Sequence, residues 1–236
     1  MQEIKSFDQN EIRTPEVENY QKIGQDAGVT LAEAKKFWDQ EFSNVEKVEP
    51  QEPEFGGRYK SYEARLDKTP VNGERGSFDG ERGESIFRPS DETEAGARAL
   101  AKLEECGLEG IEYKNAEPDF SKCALATVKI DDMTPNRWDY IDDDGNMQYG
   151  NFSQADMKCA ELFNTQKKDG REDWTASDVQ ELRQNPDNWY TWHERCDTKT
   201  MDLVPYDIHS YCTHSGGVAE CKMRDTVETF GGGFDE

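Results

Sequence analysis

The stretch Tyr190-Thr-Trp-His193-Glu194-Arg195-Cys196-Asp197-Thr-Lys199-Thr-Met-Asp-Leu-Val-Pro205-Tyr-Asp-Ile-His209-Ser-Tyr-Cys212-Thr-His214-Ser-Gly216-Gly217 holds every histidine of the chain. Asn188 to Glu194 is aromatic and β-favouring, and Thr200 to Val204 is a second short β-favouring run. The gap between them fits a hairpin loop. Pro205 suits the start of a helix, expected over Tyr206 to about Thr213. His193 then belongs to a strand, His209 to the helix, and His214 to the helix end, just before Gly216-Gly217. Strand, strand and helix bring His193 against His209. Neutral imidazole is the commonest metal ligand and titrates near neutral pH. Such a group suits hydrolysis: one imidazole takes a proton from water, while other imidazole or carboxylate groups hold a divalent cation beside a phosphodiester.

The remainder of the chain supports an α+β fold around this segment. Residues 14–45 read as a helical hairpin. Thr14-Pro15 opens its first helix, Gly28 closes it, and Thr30-Leu-Ala-Glu33 is a capping box for the second. The text around Gly28 has a faint helix-turn-helix look, but the second helix lacks the polar and basic run that reads bases. This appendage is bounded at 1–48, with a Glu-, Pro- and Gly-rich linker at 49–70 and a domain at 71–236 whose ββα core spans about 188–217. Gly-Glu-Arg-Gly occurs twice, at 73–76 and 80–83, too short to be a structural repeat. A helix is expected from Ser90 to Cys106, strands at 110–113 and 123–130, a helix capped by Ser153 through about Lys168, and another capped by Thr175 and stopped at Asn185-Pro186. The acidic loop 131–151 contains Asp142-Asp143-Asp144-Gly145, which lacks the alternate acidic positions and closing Glu of a calcium loop. It reads as a solvated turn.

Composition narrows the function. Hydrophobic residues make up only 33% of the 236, so the core is modest. Five Trp, nine Tyr and eleven Phe nevertheless argue against full disorder. A net charge of −23 counts against non-specific nucleic-acid binding through a basic footprint. It leaves room for an enzyme whose metal supplies local positive charge, and it suits a cationic protein partner. The six cysteines are too sparse for a disulfide scaffold and read as reduced thiols. No basic-then-apolar leader and no apolar run of membrane-spanning length is visible, so a cytoplasmic location or export by a specialised route is expected.

With those residues in view, Trp192-His193, Met201-Asp-Leu-Val204-Pro205, Ile208-His209 and His214-Ser-Gly216-Gly217 resemble the HNH/endonuclease VII superfamily. The nearest subgroup is the WHH-type nuclease domains of bacterial polymorphic toxins. Gly80-Glu-Arg-Gly-Glu84-Ser and Gly110-Ile-Glu-Tyr-Lys-Asn-Ala-Glu-Pro118-Asp-Phe120 resemble segments that accompany such nucleases. The resemblance implies an endonuclease for DNA, with RNA as the alternative, using one divalent ion (Mg, Mn, Ni or Zn). It also implies a toxin or effector setting with an immunity protein as partner. Carried over, His193 falls in the dyad that supplies base and ligand, and His209 and His214 match the helix-side ligands.

The departure is Glu194, where the motif has its second histidine. Either His193 is the base and Glu194 a ligand, or His193 is a ligand and Glu194 the base, or activity is weakened. Asp197 is a further carboxylate for the metal, and Glu81 or Glu84 is an accessory. Within 171–225 the six basic side chains (Arg171, Arg183, Arg195, Lys199, Lys222, Arg224) face eleven acidic ones and are the expected phosphate contacts. Two other readings stand beside this one. His193-x-x-Cys196 and His209-x-x-Cys212 have spacing for a closed structural zinc. A non-catalytic interaction protein on the same fold also fits the charge.

Overall fold

Short runs of apolar–polar alternation between Gly and Asp-Asn turns give small sheets rather than one large one. The computed structural model describes residues 59–231, and the expected hairpin at 14–45 lies outside the described residues. In chain order the elements are α1 (Tyr62–Leu66), β1 (Gly76–Phe78), β2 (Ile86–Pro89), α2 (Glu94–Glu105), β3 (Ile111–Lys114), β4 (Glu117–Pro118), β5 (Ala126–Lys129), β6 (Tyr140–Ile141), β7 (Met147–Gln148), α3 (Asn151–Thr165), α4 (Ala176–Arg183), β8 (Tyr190–Glu194), β9 (Thr200–Pro205), α5 (Tyr206–Tyr211) and α6 (Gly217–Gly231). This is the α+β class expected. Among the described residues no helix is long and apolar enough to cross a membrane.

The sheet that positions the site has the order β5-β9-β8, all antiparallel. Its register pairs Trp192 with Leu203, His193 with Asp202 and Glu194 with Met201. Side chains alternate across a strand, so Trp192, Met201 and Leu203 share one face. That face packs into a core with Val128, Phe152, Phe163 and Val179 from β5, α3 and α4. Val204 points to the other face and joins Phe87, Leu103, Tyr113, Phe120, Ile208 and Tyr211 in a second core. All six residues of β9 are buried, because helices cover one face and the β1-β2-β3-β4 sheet with α2 and α5 supplies the other core. His193 sits on the second face, against Phe120.

The local differences from the sequence reading have identifiable causes. The helix expected from Ser90 starts after Thr93, whose hydroxyl accepts from the Gly96 N–H at 3.0 Å. The helix expected after Ser153 begins at Asn151. There the Asn151 N–H donates to the Asn136 carbonyl and its amide donates to the Thr134 carbonyl, so tertiary bonds replace a local cap. Thr175 does cap its helix through a complete capping box with Asp178. Part of the expected linker is helix α1, capped by Ser61. The acidic loop contains the β6–β7 hairpin. Asp142 accepts from the Asp144 and Asn146 N–H groups and from the Gln148 amide, which closes the turn with the carboxylate. Helix α5 ends two residues short of Thr213, and α6 follows it where no helix was expected.

Candidate metal centre

The ββα segment is β8, β9 and α5. Trp189 accepts a backbone bond from Tyr206 at 2.9 Å, so the helix starts where the hairpin opens. One turn later α5 carries His209. The chain then leaves the helix, and His214 lies in the crossing to α6. Gly216 makes that crossing possible: a Cβ there would sit 2.7 Å from the Glu194 carbonyl oxygen. Gly217 likewise lies against the Arg195 carbonyl. The two glycines let the segment after His214 lie directly on the end of β8, which fixes His214 beside His193.

The three imidazoles converge. One ring nitrogen from each of His193, His209 and His214 lies within 4.8 Å of the others. Ring centroids are separated by 4.7 Å for His193–His214, 5.1 Å for His209–His214 and 5.6 Å for His193–His209. Phe120 backs all three rings at 4.8–5.7 Å. His193 is fully buried, whereas His209 and His214 keep part of their surface in solvent, so the cluster opens on one side.

Electrostatics keeps the cluster neutral. Burial is the first cause in each case, because it penalises the charged ring. His193 is held well below the usual histidine value by burial, then by its two histidine neighbours, then by Arg195 and Arg137. His209 is depressed in the same way. His214 falls to about 4, opposed by its bond to the Cys212 carbonyl. That carbonyl accepts from Nδ1 of His214 at 2.9 Å, which leaves Nε2 with its lone pair free, the arrangement that orients a metal-bound imidazole. Both nitrogens of His193 are buried with no hydrogen-bond partner among the described residues. A buried unsatisfied polar atom costs about 1–3 kcal/mol, and an ion at the shared point would take up the lone pair of one of the two. Three neutral imidazoles facing one point fit a borderline divalent ion and leave coordination positions open.

The carboxylates singled out in the sequence lie elsewhere. Glu194 follows His193 on the strand and points to the opposite face. Its Oε2 accepts from Arg137 Nε at 2.8 Å and its Oε1 from the Asn151 amide at 3.0 Å. Burial pushes its carboxyl up, and the Arg137 charge and the two bonds oppose this. Asp197 is used in the β8–β9 turn, where Oδ1 accepts from the Lys199 and Thr200 N–H groups and Oδ2 from the Thr200 hydroxyl. Glu81 and Glu84 are exposed in the turn between β1 and β2, where Glu84 accepts from the Asn115 N–H. None of the four belongs to the histidine group.

The zinc pairs also separate. The Cys196 thiol donates to the Ser215 carbonyl at 3.2 Å, Cys212 is part of the second core, and neither joins the histidines. Burial raises both thiols, Cys212 to about 12.

Most of the expected phosphate contacts are committed to carboxylates. Arg195 is buried and bidentate on Asp202, at 2.6 and 2.8 Å. Arg183 is buried on Asp156. Arg171 pairs with Asp173 and Asp178, and Arg224 with Asp225. Lys199 and Lys222 are exposed. Arg137 carries no motif, and Phe120 stands only at the end of the Gly110–Phe120 segment. Arg137 lies inside the acidic loop, yet its charge bears on all three histidines. The one available signal was a lone arginine beside Trp138 in a run of acids.

A hairpin and helix that gather three imidazoles on an α+β frame are compatible with a ββα-type nuclease domain, and the three rings could hold a metal ion. Residues 110–216 match the family model described as the DNase/tRNase domain of colicin-like bacteriocin. The similarity is thus to a nuclease toxin domain, and the matched stretch contains Phe120, Arg137 and all three histidines. No curated protein and no solved structure matches the chain significantly.

Proposed function

We propose that this protein is a metal-dependent endonuclease of the HNH type that hydrolyses phosphodiester bonds in DNA, acting as a bacterial toxin with an immunity protein as its partner. The observation that carries the reading is the three-imidazole cluster, with both nitrogens of His193 unpartnered inside a stretch similar to a nuclease toxin domain. His193, His209 and His214 would hold one divalent ion. When bound, the ion supplies the positive charge that stabilises the phosphorane-like transition state and the leaving oxygen.

Of the two assignments open in the sequence, the shared point of the three rings favours His193 as a ligand. Glu194 lies on the opposite face of β8 from the three rings and acts as a positioning residue: its Oε2 is bonded to Arg137, whose side chain is half exposed. Arg137 is the cation placed to meet the substrate phosphate. Arg137 thus replaces the basic footprint that the −23 chain lacks.

A plasmid-cleavage assay with magnesium, manganese, nickel or zinc tests this. The parent protein should nick DNA, and chelator should stop it. His209→Ala should lose both metal affinity and cleavage. Arg137→Ala should lose cleavage by roughly tenfold or more, the scale of one charge-assisted phosphate contact, while binding metal as the parent does. No cleavage with any of these ions at low salt would refute the proposal. Retained cleavage in Arg137→Ala would place the phosphate contact elsewhere.

A further inference from the structure

A groove of about 350 Å³ opens beside the ββα segment. Its working surfaces are Trp138, Trp189, Tyr206 and Arg137, with Arg183 and Phe152 beneath. Trp189 and Tyr206 stack face to face, with centroids 4.0 Å apart and planes 10° apart. Trp138 packs edge-on against Phe152 and lies over Arg183. The two indoles are nevertheless 51% and 60% exposed. Large aromatic faces held rigid and left in water are unusual unless they meet a ligand.

Charge separates this groove from the rest of the surface. The chain has 51 acidic and 28 basic residues, yet no acidic side chain lines the groove. Two other depressions of the surface contain Asp178 and Glu181, and Glu109, Glu112 and Asp119. Elements that carry the site also line the groove. Tyr206 and His209 are three residues apart on α5, and Arg137 lines the groove while bonded to Glu194.

We infer that this groove is a stacking platform for unpaired nucleobases of the substrate strand, with Trp189 on Tyr206 as one stacking face, Trp138 as a second, and Arg137 meeting the intervening phosphate. Every base has a π-face, so such a platform selects single-stranded or distorted nucleic acid without reading sequence. Flat apolar faces that line one groove with a cation match the alternation of base and phosphate along a strand. A protein partner would ask for no such alternation. The inference deepens the nuclease reading and rests on it for the identity of the ligand.

Affinity can be tested apart from cleavage. Binding of a fluorescein-labelled single-stranded deoxyoligonucleotide is measured by anisotropy, with the full chain in EDTA at low salt. The comparison is an abasic strand of the same length and charge. The base-bearing strand should bind the parent roughly tenfold tighter or more, on the scale of one stacked base. Trp189→Ala should remove most of that ratio and Trp189→Phe should keep most of it. Equal affinity for the two strands, including none for either, overturns the platform, as does parental affinity in Trp189→Ala. The strand comparison needs no variant, so misfolding cannot mask it. Metal-dependent cleavage with no base dependence sinks the platform alone, whereas base-dependent binding with no cleavage under any metal sinks the nuclease reading alone.

Discussion

Asp156 and His193 are both buried beside strand β8, on opposite faces of its sheet, and both are polar. Asp156 accepts three bonds from the Arg183 guanidinium and one from the Trp192 indole, at 2.8–3.1 Å. His193 makes none through either nitrogen. The first is a closed network whose members satisfy one another, so it serves the frame. The second gathers three ring nitrogens within 4.8 Å of one another with no carboxylate or thiol of the described residues in the group, which is the arrangement the proposed ion would use. A buried polar residue therefore has to be read by what its neighbours leave undone, since burial is common to both.

The comparison is broken most severely at Asp156. Asp156→Ala should lower the unfolding free energy by about 3–5 kcal/mol, because it leaves a buried guanidinium without its carboxylate. Urea denaturation measures this. A loss under about 1 kcal/mol would mean that the network is not what holds α3 and α4 to β8.

Glu117 gives the next largest effect, and its sign depends on pH. Its Oε1 accepts from the Cys196 N–H while Oε2 is buried and unpartnered. Burial raises its carboxyl from 4.5 to about 7. The folded state therefore holds the proton more tightly than the unfolded chain does. The stabilising contribution is full below about pH 4.5 and is lost as pH rises to about 7, a swing of roughly 3 kcal/mol. Glu117→Gln should gain stability relative to the parent across that window and be flat above it. A stability difference that does not change with pH would assign Glu117 a purely packing role.

The histidine centre should respond to metal instead of to lost bonds. A divalent ion at about 100 times its dissociation constant should stabilise the protein by about 2.7 kcal/mol, read as a concentration-dependent rise in Tm. The rise should vanish in His193→Leu. Without metal, that variant should remain within about 1 kcal/mol of the parent, because it removes two unsatisfied nitrogens and keeps apolar volume beside Phe120. A Tm rise of equal size in His193→Leu would place the ion elsewhere.

The three histidines, the hairpin and the helix were legible because each follows from local chemistry: β-favouring aromatics, Pro205 at the helix start, and glycines where backbone meets backbone. The Thr175 cap was legible for the same reason. What was not legible depends on contacts between distant residues. Glu194 beside His193 looks like a partner in one dimension, but strand alternation sends it to Arg137 and Asn151 on the other face. Asp197 looks like a ligand and is the turn's own acceptor. Arg195 looks like a phosphate contact until the register puts Asp202 beside it. Phe120, which lines the centre, is remote from it in sequence and stands there only as the last residue of the Gly110–Phe120 segment.

That last separation has a consequence for how the molecule assembles. The three imidazoles lie between positions 193 and 214, so their encounter needs only a short loop to close, which is fast and costs little chain entropy. Phe120 must return across the whole of α3 and α4 before it can cover the same rings. Contacts at that range form slowly. The order of events should therefore run from an open histidine cradle, reachable by an ion in the unfinished fold, to a walled one. A divalent ion present during refolding would then speed the appearance of native structure.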